Sequence, residues 1–121
     1  MTGVQTCALP IYVDDVLDAF LLAEERADCP RGAVYNVGSG RQTTLRELVG
    51  VAREVFGLDA EPKWGAFPDR RWDTDRWIAD SSRAAEELGW RATVSLGRGL
   101  AATRDWMASV SGAVERYRTG D

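Results

Sequence analysis

The sequence contains no histidine among its 121 residues and only two cysteines, Cys7 and Cys29. The absence of histidine excludes imidazole catalysis and histidine-ligated metal sites. Two cysteines do not form the pattern of a disulfide framework, so a reducing cytoplasm is the expected compartment. The sequence has no basic leader followed by an apolar stretch, so no signal peptide is expected.

The chain also lacks long apolar runs and an excess of positive charge. No run approaches the roughly 20 apolar residues that a helix needs to cross a bilayer, so no membrane partner is expected. Fifteen basic residues against nineteen acidic ones give a net charge of −4. This balance argues against a nucleic-acid partner, because nucleic acid requires a basic surface. The length allows one small domain with a modest core.

Residues 1–11 differ from the rest of the chain, because all charged residues lie outside them. Their sequence resembles the translation of a common short-read sequencing adaptor. We therefore predict that this segment is an artefact of sequencing, and such scars are left out of fold reasoning. The alternative is a natural, uncharged N-terminal strand.

The remaining residues predict an α/β arrangement that is mostly helical with a few short strands. A first helix is expected to run to about Arg26, with Asp14 or Asp15 as its cap. Its expected core positions are Val16, Ala19, Phe20 and Ala23. After a turn at residues 30–32, the apolar run 33–37 is expected to be a strand, and residues 61–64 and 77–79 are weaker strand candidates.

Three further helices follow from local signals. Thr44 and Glu47 have capping-box spacing, and this helix is expected to stop at Gly57. Asp80 or Ser81 is expected to cap a helix that ends before Gly89, with Trp90 as a core anchor. Ser95 is expected to cap the last helix, and the chain beyond Ser111 is expected to be frayed. The expected apolar stripes are Leu45, Leu48, Val49, Ala52, Val55 and Phe56, then Leu96, Leu100, Thr103, Met107 and Val110.

Five motifs occur in a fixed order and spacing. They are Tyr12-Val13-Asp14-Asp15-Val16, Tyr35-Asn36-Val37-Gly38-Ser39-Gly40, Ala79-Asp80-Ser81-Ser82-Arg83-Ala84, Glu87-Leu88-Gly89-Trp90 and Ser95-Leu96-x-x-Gly99-Leu100. Together they resemble the C-terminal part of the extended short-chain dehydrogenase/reductase family, the NAD-dependent sugar-nucleotide epimerases and dehydratases. The resemblance implies a substrate-binding part at residues 12–110 and a polar tail at 111–121. The main parallel sheet and the N-terminal Rossmann part of the parent enzyme would be missing.

The resemblance also implies a nucleotide-binding loop before Ala79. By its register, Arg70 would contact the nucleotide diphosphate and Asp73 the ribose hydroxyls, with Arg71 in place of Arg70 if the loop is shifted by one residue. A guanidinium group matches phosphate oxygens bidentately, and a carboxylate accepts from vicinal hydroxyls. Trp72 is a further candidate contact. The alternative is an ordinary solvated charged loop.

The other candidate residues favour structural roles. Asp14 and Asp15 are paired carboxylates that could act as a general acid and base, but their place at a helix start favours capping. Asn36 ends the predicted strand, and the Gly38-Ser39-Gly40 turn lacks the third glycine of a dinucleotide fingerprint. Four tryptophans are expected mainly in the core: Trp64, Trp77, Trp90 and Trp106.

The family's Gly-x-x-Gly-x-x-Gly and Tyr-x-x-x-Lys motifs are absent from this sequence. The resemblance therefore implies that NAD or NADP binds to the missing part of a parent enzyme, expected to be a homodimer, that acts on a nucleoside-diphosphate sugar. This chain would carry no catalytic residue and be inert alone. Two alternatives remain open: a nucleotide-sugar ketoreductase of the same superfamily, or a non-enzymatic small α/β interaction domain.

Overall fold

A computed structural model describes residues 7–8, 10–26, 28–65 and 78–119, with side chains described for 10–26, 28–65 and 78–116. Within these ranges the chain is mostly helical, with one small two-stranded sheet. This arrangement agrees with the predicted fold class. The elements in chain order are β1 Cys7–Ala8, α1 Val13–Glu25, β2 Thr43–Thr44, α2 Leu45–Phe56, a π-helix Ala84–Leu88, α3 Leu96–Ser109 and α4 Ala113–Thr119.

The sheet joins the start of the chain to the entrance of α2. β1 and β2 are antiparallel, with Cys7 opposite Thr44 and Ala8 opposite Thr43. Backbone hydrogen bonds of this kind are open to every residue except proline, so the pairing does not depend on the side chains of Cys7 and Ala8. It therefore does not test whether residues 1–11 are a sequencing artefact, and that origin stays a prediction.

The start of α1 differs from the prediction. Its N-cap is Tyr12, whose side chain makes no capping hydrogen bond, so capping by Asp14 or Asp15 was wrong. Both carboxylates instead lie in the first turn, where the positive end of the helix dipole favours them. The side chain of Asp15 is directed into the interior of the fold and is 1% exposed.

The core face of α1 is also narrower than predicted. Ala19 is buried and Ala23 packs against the core, but the Phe20 side chain is 71% exposed. Phe20 belongs to a second apolar stripe on this helix, because it lies seven residues after Val13 and three after Leu17. Periodicity alone does not say which of two apolar stripes faces the core. The exposed stripe consists of Val13, Leu17, Phe20 and Leu21.

α2 and α3 begin as predicted and pack against each other. The Thr44 hydroxyl accepts from the Glu47 amide at 3.1 Å, and the Glu47 carboxylate accepts from the Thr44 amide at 2.8 Å. This confirms the capping box. Gly57, with φ of 63°, ends α2 as predicted. The Ser95 hydroxyl accepts from the Arg98 amide, which confirms the cap of α3.

The core lies between α1 and the π-helix. Asp80 accepts a hydrogen bond from the Ser82 amide at 3.0 Å, two residues before the π-helix begins. The N-cap of the π-helix is Arg83, which makes no side-chain capping hydrogen bond, so capping by Asp80 or Ser81 was wrong. Gly89, with φ of 71°, ends the π-helix. Trp90 is only 2% exposed, so its prediction as a core anchor is confirmed. The central cluster is Ala19, Ala84, Leu88 and Trp90.

The predicted strands outside the small sheet do not form. Residues 33–37 are not a strand and make no ladder with another described segment, and Val34 is 75% exposed. Residues 61–64 and 78–79 are not strands either, and Trp77 lies outside the described residues. Conversely, part of the predicted frayed tail is the helix α4, which starts at the buried Ala113.

No helix in the described part of the chain has both the length and the apolar character needed to span a membrane.

Candidate functional site

The predicted nucleotide-binding residues cannot be placed. Arg70, Arg71, Trp72 and Asp73 lie outside the described residues, which resume at Ile78. Their roles therefore remain predictions. The described residues do define two cavities and two polar networks around the core, and these constrain the chemistry available to this part of the chain.

The first network is centred on Asp15. Its Oδ1 accepts from the backbone amide and the hydroxyl of Thr93, both at 2.9 Å, and its Oδ2 accepts from the Val94 amide at 3.0 Å. The backbone carbonyl of Asp15 accepts from the Trp90 indole at 2.7 Å. A single residue of α1 therefore holds the segment that leads into α3.

This network fixes the charge state of Asp15. Burial acts to raise the pKa of the carboxyl, but the hydrogen bonds from Thr93 and Val94, helped by Arg98, outweigh it and lower the pKa below its usual value. A general acid or base near neutral pH needs a raised pKa and access to substrate. Asp15 has neither, so the structure assigns it a structural role in place of the capping role that its sequence position predicts.

The second network joins residues 29–35 to the π-helix. The Tyr35 hydroxyl donates to Glu87 at 2.7 Å and lies 3.3 Å from the Cys29 sulfur. Arg83 donates to the other Glu87 oxygen at 2.8 Å, and its guanidinium stacks 5.0 Å from the centre of the Tyr35 ring. The interactions with Cys29 and Glu87 raise the pKa of Tyr35. A phenol that already donates to a carboxylate is poorly prepared to remove a proton from a substrate.

Neither network could be derived from the sequence motifs. The donors to Asp15 are mostly backbone amides 78 and 79 residues away, and backbone groups leave no signature in a sequence. Glu87 and Tyr35 lie 52 residues apart and belong to two motifs that were considered separately. The available signal is that both motifs occur in the same chain. This indicates a contact between them only once the fold is known.

The tryptophans divide between core and surface. Trp90 is buried, whereas Trp64 and Trp106 are 40% and 51% exposed, so the expected core role is wrong for these two. The Arg46 guanidinium lies 4.8 Å from the centre of the Trp64 ring. This contact covers one face of an exposed aromatic ring.

The smaller cavity, about 470 Å³, lies between the Gly38–Gly40 turn and the start of the π-helix. Two of its hydroxyl groups are already engaged: the Ser81 hydroxyl donates to the Gly38 carbonyl, and the Ser82 hydroxyl donates to Asp80 at 2.6 Å. Arg91 also lines the cavity. A Cβ atom on Gly38 would lie 2.5 Å from the Ala79 Cβ. The space beside this glycine is therefore filled by the protein.

Gly38→Ala is expected to lower the free energy of unfolding by about 1–3 kcal/mol, because overpacking forces the backbone near Ala79 to shift. Thermal unfolding followed by circular dichroism measures this. The double variant Gly38→Ala/Ala79→Gly should recover part of the loss, since it removes the clashing methyl group. Equal stability of the wild type and the single variant would contradict the close packing.

The larger cavity, about 980 Å³, is an open cleft between α2 and α3. Leu48, Val51, Leu96 and Leu100 contribute apolar side chains to it. The carboxylates of Glu47 and Glu54 also line it, and Arg41, the one cationic side chain of its described lining, is paired with Glu47 at 4.0 Å. A nucleoside diphosphate requires positive charge, so this cleft is electrostatically unsuited to it.

Among the described residues, no cluster of three or more acidic or cysteine side chains could hold a metal ion.

Comparison with known proteins identifies homologous enzymes, although no family model matches the chain. UDP-glucose 4-epimerase of Mycolicibacterium smegmatis is 38% identical over 103 residues, which are 84% of this chain and 31% of that protein. GDP-L-fucose synthase 1 of Arabidopsis thaliana is 39% identical over 98 residues, 79% of this chain and 28% of that protein.

Solved structures agree with these relatives. UDP-glucose 4-epimerase of Thermotoga maritima, determined with UDP-glucose, has a TM-score of 0.73 and 38% identity, covering 89% of this chain and 34% of that one. The Bordetella bronchiseptica enzyme WbmF, in complex with NADH, has a TM-score of 0.76 and 30% identity, covering 100% and 35%. The chain thus spans only 28–31% of the length of these two curated relatives. It belongs to the extended short-chain dehydrogenase/reductase family.

Proposed function

We propose that this chain is the substrate-binding part of an NAD(P)-dependent epimerase or dehydratase of nucleoside-diphosphate sugars. Its contribution is to hold the nucleotide, with Arg70 on the diphosphate, Asp73 on the ribose hydroxyls, and Arg71 and Trp72 beside them. Hydride transfer belongs to a nicotinamide cofactor bound by the remainder of the parent polypeptide. Alone, this chain has no activity.

The observation that carries the proposal is the identity of 38% to a UDP-glucose 4-epimerase over 84% of this chain. A solved relative of the same name, from Thermotoga maritima, was determined with UDP-glucose. The described residues are consistent with a binding role, because Asp15, Tyr35 and Glu87 are all engaged in structural hydrogen bonds.

The exposed stripe of α1 supports the existence of a larger parent. Val13, Leu17 and Leu21 are 53–57% exposed, and Phe20 is more exposed still. A helix that is apolar on more than one face is usually buried on more than one face. The Rossmann part of the parent is the partner that we propose for this stripe.

The test is a chimaera in which this chain replaces the 103 matched residues of the Mycolicibacterium smegmatis enzyme. We expect it to bind UDP in isothermal titration calorimetry. Arg70→Ala should weaken binding by about 10–100-fold, because a charge-assisted contact to phosphate is worth about 1.5–3 kcal/mol.

The matched control is Arg31→Ala, at an exposed arginine in the turn before residue 33. Its affinity for UDP should equal that of the unmodified chimaera. A chimaera that folds but does not bind UDP, or an Arg70→Ala variant that binds as well as the control, would rule out the proposed role. Arg71→Ala decides between the two registers of the loop.

A nucleotide-sugar ketoreductase is the second candidate. The match to GDP-L-fucose synthase 1 is as strong as the match to the epimerase, at 39% identity. Both candidates share the nucleotide site, so they differ in the reaction of the complete parent. The non-enzymatic interaction domain is disfavoured by the open stripe of α1, since a freestanding domain would be expected to close its core.

A further inference from the structure

Residues 58–64 follow α2 and run back along its surface. The first six of them form no helix or strand and are held by side chains of α2 itself. Arg53, in the last turn of α2, contacts the start of the segment, and Arg46, seven residues earlier, contacts Trp64 at its end. Because seven residues are about two turns of a helix, both arginines lie on one side of α2, and the segment runs antiparallel to it. We call these two arginines and their contacts the α2 clamp.

Arg53 makes most of the contacts of the α2 clamp. Its Nε donates to the Leu58 carbonyl at 3.2 Å. One of its terminal nitrogens donates to the Asp59 carbonyl at 3.3 Å and to the Glu61 carboxylate at 2.9 Å. The guanidinium group is planar and its donors have a fixed geometry, so three acceptors on one arginine hold the direction of the segment as well as its distance from α2.

Stability alone does not account for the α2 clamp. The Glu61 side chain is 79% exposed, and exposed ion pairs contribute little to the free energy of unfolding. The C-terminal end of α2 already has the left-handed Gly57, and Arg104 of α3 donates to the Val55 carbonyl there at 3.0 Å. What the clamp does define is the path of the chain between α2 and Trp64.

This path leads into the predicted nucleotide-binding loop. Trp64 precedes Arg70 by six residues. On the other side of the loop, Ala79 follows Asp73 by six residues and packs closely against Gly38. The chain is therefore fixed on both sides of the segment that carries the two proposed contacts. A shorter stretch between two fixed points has fewer conformations to lose when it becomes ordered on a ligand.

We infer that Arg53, with Arg46 and Trp64, positions the nucleotide-binding loop. The α2 clamp fixes the chain before Arg70, so that the loop loses less conformational entropy when it binds a nucleoside diphosphate. The inference rests on the proposed function, because it needs Arg70 to contact the nucleotide. Arg53 acts through the loop and is therefore a positioning residue, not a contact of the nucleotide.

The experiment is a double-mutant cycle in the chimaera, with UDP affinity measured by isothermal titration calorimetry. Arg53→Ala should weaken UDP binding by about 5–10-fold, because more of the chain must then become ordered on binding. In the Arg70→Ala background the same substitution should weaken binding by about 2-fold or less, because the guanidinium group that the clamp positions is absent. A general loss of structure would weaken binding by the same factor in both backgrounds.

Arg104→Ala is the matched control, since this arginine also binds the C-terminal end of α2, but its described hydrogen bonds go to Val55 and Asp105. It should leave the affinity for UDP unchanged. Trp64→Ala is a second variant, at a side chain that is 40% exposed and therefore tolerant of substitution. It should weaken UDP binding by about 2–5-fold, because it removes the contact with Arg46.

Three outcomes would overturn the inference alone, provided that Arg70→Ala weakens UDP binding. The first is equal UDP affinity of the Arg53→Ala and Arg104→Ala chimaeras. The second is an equal effect of Arg53→Ala with and without Arg70. The third is an Arg53→Ala chimaera that does not fold, together with a Trp64→Ala chimaera that binds UDP as the unmodified chimaera does. An Arg70→Ala chimaera with unchanged UDP affinity would instead overturn the proposed function, and the inference with it.

Discussion

Replacing Asp15 by alanine is expected to lower the free energy of unfolding by about 1–3 kcal/mol. The side chain is 1% exposed, and its loss would leave the amides of the half-buried Val94 and of the exposed Thr93 without their acceptor. A donor that stays buried after it loses its partner incurs the cost of desolvation, whereas an exposed donor can bind water instead. Urea denaturation followed by circular dichroism measures the change in the 121-residue chain.

Asp14 provides the matched control, because it is the neighbouring aspartate of the same helical turn and is exposed. Asp14→Ala should change stability by no more than about 0.5 kcal/mol, as is usual for surface positions. Asp15→Asn should fall between the two, since its amide oxygen accepts from one donor while its NH2 group faces another. Equal effects of Asp14→Ala and Asp15→Ala would contradict the network.

The Asp15 carboxylate is expected to account for part of the loss of stability of the chain in acid. The pKa of Asp15 is lower in the folded state than in the unfolded state, so its contribution to stability is fully present above the unfolded value of about 3.9. The contribution is lost as the pH falls through the folded pKa. The stability difference between wild type and Asp15→Ala should therefore be constant near neutral pH and shrink in acid. A difference that grows in acid would contradict this assignment.

The sequence predicted the local features of the fold well because each depends on a few neighbouring residues. The capping box of Thr44 and Glu47 joins residues three apart, and Gly57 and Gly89 stop helices through their own left-handed backbone. Ser95 caps α3 in the same local way. Such signals do not depend on the tertiary structure, which is why the predictions based on them were correct.

The features that failed depend on distant parts of the chain. Asp15 was expected to cap its helix, but Thr93 and Val94 provide donors that only the folded chain brings near. Phe20 has the right spacing for the core, and the position of the other elements alone decides that it faces outward. The run 33–37 has strand composition but needs a neighbouring strand, and the described residues supply none beside it.

The predictions about the candidate site show the same difference between local signals and contacts between distant parts of the chain. The resemblance of whole motifs implied the family, and the comparisons confirm that membership through 38% identity to an epimerase. The positions of Arg70 and Asp73 rest on counting back from Ala79, and their roles stay predictions. The charge of the α2–α3 cleft was not predicted, because the packing of α2 on α3 decides that the α2 face carrying Glu47 and Glu54 borders a cleft.

Trp90→Ala is expected to be the most destabilising tryptophan substitution among those at described positions, at a cost of about 3–5 kcal/mol. Trp90 is 2% exposed, lies in the central cluster with Ala84 and Leu88, and donates its indole hydrogen to the Asp15 carbonyl at 2.7 Å. Folded domains of ordinary size are stable by only about 5–15 kcal/mol. The variant should therefore unfold at a much lower urea concentration or fail to fold at 37 °C.

Trp106→Ala is the matched control, because this side chain is 51% exposed, and it should cost about 1 kcal/mol or less. Trp90→Phe separates the two contributions of Trp90: it keeps an aromatic ring in the cluster but removes the indole donor, so it should cost less than Trp90→Ala. Similar losses for Trp90→Ala and Trp106→Ala would refute the core assignment. The expected difference would instead support the assignment of Trp90 to the packing of α1 against the π-helix.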